Sequence, residues 1–234
     1  MKKILKKSFP FLITTLLLAS CQAADTVDSS ADPLAALCGL SFDQAVDRLD
    51  CEDNLTISSE EDGLTEYKLP DPSPPWDVGE EGTAEISFAV DSEEDRVIAV
   101  SRTLTDMTHT VADETSAQEV YELLKTEDKR LTGYFGPTGF MAFTNGSFER
   151  LDDQESYFEI YPNVDAFTSK WNDLDEENLY MQGSEEWLSE GEDPVWLQFY
   201  WTSGPTGTVF SWNYLTEQFV AKQMGWEDLD FPED

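Results

Sequence analysis

Val195-Trp196-Leu197-Gln198-Phe199-Tyr200-Trp201-Thr202, the turn Gly204-Pro205-Thr206-Gly207, and Thr208-Val209-Phe210-Ser211-Trp212-Asn213-Tyr214 decide the fold. Two runs rich in aromatic and β-branched residues flank a Gly/Pro turn, and both alternate with period two. That pattern predicts an antiparallel hairpin. Val195, Leu197, Phe199 and Trp201 share one face, which is expected to be core. Trp196, Gln198, Tyr200 and Thr202 share the other. If that face is covered, it is a second buried layer. If it is open, Trp196 and Tyr200, with Gln198 as polar anchor, form a ligand platform that could stack on sugar rings or peptide. Buried aromatics outnumber exposed ones, so the covered sheet is the simpler expectation.

Further strands are expected on both sides of this hairpin. Leu55–Ser59 and Leu64–Leu69 flank Asp62-Gly63, and Ala84, Ile86, Phe88 and Val90 alternate ahead of a turn at Asp91–Asp95 and a strand from Arg96 to Leu104. Phe140–Thr144 and Ser147–Leu151 flank Asn145-Gly146, a strong hairpin dipeptide. Tyr157–Tyr161 reads as one more strand. Prolines 70, 72, 74 and 75 make the segment between Leu69 and Gly82 a loop. Helices are expected where apolar residues recur at three and four. One opens at the capping box Ser41…Gln44. Another runs from Thr115…Gln118 to Thr132 and stops at Gly133, with shorter ones at Asp165–Leu174 and Leu215–Met224. An acidic loop is expected between Leu174 and Val195.

The fold class is therefore α+β, a mainly antiparallel sheet with two or three amphipathic helices. Ser41-x-x-Gln44-x-Val46-x-x-Leu49 matches Thr115-x-x-Gln118-x-Val120-x-x-Leu123, and strands follow each. The match raises the expectation of two similar halves, residues 37–112 and 113–234, within one globular domain spanning 37–234.

The N-terminus carries a different signal. Lys2, Lys3, Lys6 and Lys7 precede an apolar run from Phe9 to Leu18, which ends in Leu18-Ala19-Ser20-Cys21. A basic start, a short apolar core and small residues before a cut make a secretory signal. The run is about half the ~20 residues that span a bilayer. Leu18-Ala19-Ser20-Cys21 resembles the lipobox of bacterial lipoproteins. The resemblance implies removal of residues 1–20, lipidation of Cys21 and attachment to the membrane of the cell envelope. Gln22 follows the cysteine in place of the Asp that favours retention at the inner membrane, so the outer membrane is expected. Residues 22–36 are small, polar and acidic, a tether with a coil dimension of roughly 20 Å. Gly39-Leu40-Ser41 to Val46 also resembles the opening helix of small envelope-assembly lipoproteins of the SmpA/OmlA type, whose Gly-x-Pro after the helix is replaced here by Asp50-Cys51. Glu177-Asn178-Leu179-Tyr180-Met181-Gln182-Gly183 resembles the site cut by tobacco etch virus protease.

With Cys21 lipidated, Cys38 and Cys51 remain. An oxidising compartment permits them to pair, and a structural disulfide fastening the short helix at both ends is expected.

Charge narrows the function classes. The chain has 14 Lys+Arg against 49 Asp+Glu. Four of those lysines lie in residues 1–20, which hold no acid, leaving 10 against 49, a formal charge of −39. Such a surface repels phosphate backbones, so nucleic acid is excluded as partner. A basic protein and a glycan remain as partner classes, beside the membrane reached through Cys21. The acids are spread along the chain, which also fits adaptation to salt. The 7 Trp, 8 Tyr and 14 Phe exclude a disordered acidic tail.

Catalytic constellations are sparse. His109 is the single histidine, so any Ser-His-Asp or Cys-His arrangement must use it. Its polar surroundings predict an exposed loop residue. Zinc lacks ligands, and no cofactor is expected. Calcium, which accepts oxygen ligands alone, could sit weakly at Asp91–Asp95 or Ser58–Gly63, although an EF-hand would need an acid where Leu69 stands. The leading expectation is a non-enzymatic, membrane-tethered acidic domain that binds an envelope or extracellular partner. The alternatives are a glycan-binding module and a hydrolase using two carboxylates.

Overall fold

The aromatic hairpin stands near the middle of an eight-stranded sheet in the order β1-β2-β3-β4-β8-β7-β6-β5, with every pairing antiparallel. A computed structural model describes residues 32–61, 63–71, 76, 78, 80–110, 114–136, 140–144, 161–172, 180–189 and 193–224. The strands are β1 (Thr56–Glu61), β2 (Leu64–Pro70), β3 (Thr83–Asp91), β4 (Arg96–Asp106), β5 (Phe140–Thr144), β6 (Met181–Leu188), β7 (Val195–Gly204) and β8 (Gly207–Thr216). The helices are α1 (Phe42–Leu49), α2 (Glu114–Phe135), α3 (Val164–Asn172) and α4 (Glu217–Met224), with short 3-10 turns at Ala35–Leu37 and Glu52–Asn54. The chain is an α+β protein built on a mainly antiparallel sheet. Residues 56–106 supply β1–β4 and residues 140–216 supply β5–β8. The two sets join where β4 pairs with β8, Leu104 opposite Phe210 and Val100 opposite Tyr214.

Alternation assigns the two faces. Ile86, Phe88, Val100, Leu104, Leu197, Phe199, Trp201, Phe210, Trp212 and Trp187 form the main core with Leu34, Leu37, α1, α2 and α3. Helix α2 supplies Ala117, Val120, Tyr121, Leu124 and Leu131 at helical spacing. Helix α3 supplies Phe167 and Trp171, and the Phe167 ring lies 5.4 Å from Tyr121 and 6.0 Å from Trp201. Each such side chain contributes about 1.5–3 kcal/mol on burial. The opposite face holds a smaller cluster, in which Ile98, Ala99, Trp196 and Leu215 pack with Phe219 and Val220 of α4.

Local signals placed α1 correctly. Ser41 accepts from Gln44 N while Gln44 Oε1 accepts from Ser41 N, the reciprocal capping box, of a kind that contributes roughly 0.5–2 kcal/mol. Helix α2 departs from expectation at both ends. It starts at Glu114, so Thr115 is inside the first turn. It also runs through Gly133 to Phe135, and Gly136 takes the left-handed φ of 82° that ends it. The extra turn lets Phe135 pack against Tyr214, at 6.4 Å between rings. That contact offsets the ~1 kcal/mol cost of a helical glycine.

Two further expectations change. The acidic loop after Leu174 contains β6, paired along its length with β7 from Met181↔Ser203 to Leu188↔Trp196. Strand β5 pairs with β6, Phe140 opposite Glu186. Its expected partner Ser147–Leu151 lies outside the described residues, as do residues 157–160 of the strand expected at Tyr157–Tyr161, Cys21 and the tether up to residue 31; Tyr161 itself stands in a bend.

The cysteines are also corrected. Cys38 and Cys51 are free thiols. The left-handed cap at Asp50 (φ 49°) turns Cys51 back on its own helix, where its Sγ lies 3.9 Å from the Val46 carbonyl. Cys38 faces the sheet instead, 3.8 Å from the Tyr214 carbonyl. Helix α1 is thus held by packing and capping, with no covalent staple.

Candidate functional site

Strand β4 places a charge where its alternation asks for an apolar residue. Val100, Arg102 and Leu104 share the core face, and Arg102 is fully buried. Its guanidinium lies 5.7 Å from the centre of the Trp212 ring and 3.8 Å from Asp71. Among the described residues its nitrogens have no hydrogen-bond acceptor. Burial pushes its pKa down to about 9, against the pull of Asp71, so it remains charged at neutral pH.

A second ionic group adjoins it under α2. Glu127 faces the core and accepts from Trp212 Nε1 at 3.1 Å and Arg130 Nε at 3.0 Å. Arg130 continues to Asp32 at 2.6 Å, and Asp32 accepts from the backbone N–H groups of Leu34 and Ala35. This chain of charges ties the entry of the domain to α2 and to the centre of the sheet. Its arrangement is that of a structural network, in which each buried charge needs its partner.

His109 is not the open loop residue that its neighbours predict. Its imidazole is 12% exposed, with Nδ1 2.6 Å from Asp106 Oδ2 and Nε2 2.8 Å from Glu119 Oε2. Buried Asp106 also accepts from Thr108 N and Oγ1, His109 N and Trp76 Nε1. The hydrogen bond to Asp106 raises the His109 pKa above its usual value, burial opposes it, and Glu119 adds to the rise. Burial acts to raise the Asp106 pKa, but the bonds from His109 and Thr108 outweigh it and lower the pKa. An imidazole with carboxylates at both nitrogens is a clamp on the β4–α2 connection. It has no free nitrogen to act as a general base.

The aromatic platform is not assembled as one open surface. Trp196 is 6% exposed beneath α4. Gln198 and Tyr200 are half-buried and engaged with β6, Gln198 Nε2 donating to Glu186 at 3.3 Å and Tyr200 OH to Gln182 at 2.9 Å. The calcium clusters do not converge either. Asp91 is buried and spends its carboxylate on Glu93 N, Gln218 Nε2 and the Lys222 ammonium. Ser58 and Ser59 donate to the backbone oxygen and the carboxylate of Glu66. Among the described residues no group of three or more His, Cys, Asp or Glu is arranged to hold a metal ion.

Two carboxyls attract notice for acid chemistry. Glu185 of β6 points into the core, 6% exposed, and burial and Asp128 of α2 raise its pKa well above the usual carboxylate range. Burial likewise raises Asp128. Glu185 is closed off from solvent on the buried face of β6, beside Gly183 and Trp187. The thiols are equally ill placed. Cys38 borders a cavity of about 180 Å³ with Arg96, Asp193 and Glu217, but burial pushes it up to about 12 and Cys51 up to about 11. Both are protonated, hence poor nucleophiles, at neutral pH.

A larger groove opens between α1 and the β1 edge, enclosing about 510 Å³. Its floor and walls are Phe42, Val46, Leu55, Ile57 and Tyr67, and its rim carries Asp43, Asp47 and Glu52. Sequence reasoning missed it, although the i, i+4 pair Phe42 and Val46 beside i, i+4 acids Asp43 and Asp47 is a signal.

No protein-family model, curated protein or solved structure matches the chain. Among the described residues no helix is long and apolar enough to cross a membrane.

Proposed function

We propose that the protein is a lipoprotein of a bacterial cell envelope, acylated on Cys21 after removal of residues 1–20, and that its acidic domain binds a basic protein partner. The observation that carries the reading is Leu18-Ala19-Ser20-Cys21 at the end of a lysine-headed apolar run. Several acyl chains on one residue hold a protein stably where a single chain is marginal. The outer membrane is the expected address, because Gln22 replaces the retention signal. A formal charge of −39 on the remainder supports a cationic partner, since opposite charge speeds encounter and excludes wrong partners. A binding role fits side chains whose reactive groups are occupied: the single imidazole is clamped and both thiols are protonated.

The test begins with the anchor. The full chain is expressed in a bacterial host fed a clickable palmitate analogue. Label and partition into a detergent phase are expected, and both should vanish in Cys21→Ser. Persistent label in that variant refutes the lipidation. Capture from envelope extract at low and high salt then tests the partner, which should be retained only at low salt.

A further inference from the structure

We infer that the groove between α1 and β1 is the docking surface for a short basic segment of the partner protein, in which apolar side chains are flanked by lysine or arginine. The inference rests on the acidic-domain reading above and gives that reading an address.

The floor is apolar and open at once. Ile57 is 59% exposed, the most exposed large apolar side chain among the described residues. It stands opposite Tyr67 in the β1–β2 register, so both face α1. The tilted ring of Phe42 lies 4.5 Å from Tyr67, and Tyr67 stacks 5.4 Å from the buried ring of Phe88. The groove floor is therefore continuous with the core and does not need to form on binding. Strand β1 ends the sheet. Among the described residues no further strand lies beyond it to cover Ile57, Leu55 and the α1 face.

Charge selects the occupant. Asp43, Asp47 and Glu52 line the rim, and among the described residues no lysine or arginine does. Glu60 and Glu61 continue the negative charge along the exposed edge of β1. The Tyr67 phenol reports the same field: burial raises its pKa first, then Glu60 and Asp95. A second copy of this chain is a poor occupant, because it would bring its own acidic surface to an acidic rim. Exposed β-edges commonly carry charges that repel a like strand. Here those charges are all of one sign among the described residues of β1, so an edge that refuses its own kind accepts a cationic segment.

The probe is a fluorescein-labelled peptide, Lys-Leu-Lys-Val-Lys-Leu-Lys, titrated with the full chain in nonionic detergent and read by fluorescence anisotropy. Binding is expected at low salt and should weaken tenfold or more, an order-of-magnitude figure, when ionic strength rises from about 0.05 to about 0.5 M. Asp47→Lys/Glu52→Lys should weaken it about tenfold, and Ile57→Ser about threefold or more. Glu93→Lys/Glu94→Lys makes the same charge change at the exposed β3–β4 turn, and it should leave affinity within about twofold. All these side chains are exposed, so folding is expected to survive, and circular dichroism checks it. Equal weakening by the two double variants overturns the groove while leaving an acidic binding surface standing. No binding at any salt overturns the groove and removes support for a cationic partner. Lys2, Lys3, Lys6 and Lys7 surround Ile4 and Leu5 in the chain's own leader. If binding appears only once residues 1–20 are removed, that segment is the occupant and the assignment to a partner falls.

Discussion

Arg130 offers the sharpest test of how the domain is held together. Replacing it with Met keeps most of the aliphatic stem and deletes the charge. Asp32 and Glu127, whose side chains are 1% and 6% exposed, then face each other's field with no counterion in contact. Breaking a buried ion pair from one side costs about 3–5 kcal/mol, because the other charge stays buried. The guanidinium also lies 5.9 Å from the Tyr134 ring, an exposed contact that adds only about 0.5–1 kcal/mol. The assay is urea unfolding followed by tryptophan emission, to which Trp212, bonded to Glu127, contributes directly. With a urea m-value of about 2–3 kcal/mol/M, the midpoint should fall by roughly 1–2 M with m unchanged. Adding Asp32→Asn to Arg130→Met should return part of the loss. A loss under about 1 kcal/mol, the range of an exposed pair, would refute the reasoning.

Three other outcomes can be checked on the same material. Gly183→Ala would set a Cβ 2.7 Å from Trp201 Nε1; overpacking costs about 1–3 kcal/mol against the ~0.5–1 gained by replacing glycine in a strand, so urea unfolding should show a net loss, and equal or greater stability would sink the packing. Because Gln182 and Gly183 lie inside β6 rather than in a loop, tobacco etch virus protease should spare the native chain and cut it only when unfolded; rapid native cleavage would contradict the strand. The His109 clamp gives a pH signature. A raised histidine pKa contributes stability that is complete below the ordinary 6.5 and lost as pH rises through the folded value, and a depressed Asp106 contributes above the ordinary 3.8 and is lost as pH falls through its own. Stability should therefore peak between those two ordinary values, and His109→Gln should flatten the alkaline limb of the profile.

The thiols give a fourth. Mass spectrometry after alkylation in urea without reductant should find Cys38 and Cys51 both modified, whereas slow labelling is expected in the native state. Recovery of a Cys38–Cys51 disulfide would restore the staple that the structure lacks.

Much of the sheet was legible because alternation and turn chemistry agree. The β3–β4 and β7–β8 hairpins lie within a residue or two of where their period-two runs and turns predict them. Strand β6 was not legible. Met181-Gln182-Gly183-Ser184-Glu185-Glu186-Trp187-Leu188 sends Glu185 to the buried face, so charge masks the period. Arg102 breaks the same rule in β4. Its alternation says core while its charge says solvent, and only the Asp71 and Trp212 around it reconcile the two. The His109 clamp was half visible, since Asp106 lies three residues earlier. Glu119 reaches the ring from α2, which local spacing cannot reveal. The disulfide failed for a related reason, because short separation along the chain does not orient two thiols.

The β4–β8 junction has a consequence for how the chain is made. Ser101 of β4 bonds Asn213 of β8, 112 residues away, so the central pairing closes late. Synthesis delivers β1–β4 first, but β4 waits with one edge unsatisfied until residues 207–216 emerge. Long-range strand pairing is intrinsically slow, because loop entropy must be overcome before contacts reward it. Under the export proposed above, that delay would keep the chain unfolded while it is threaded through the membrane and let it complete its sheet on arrival.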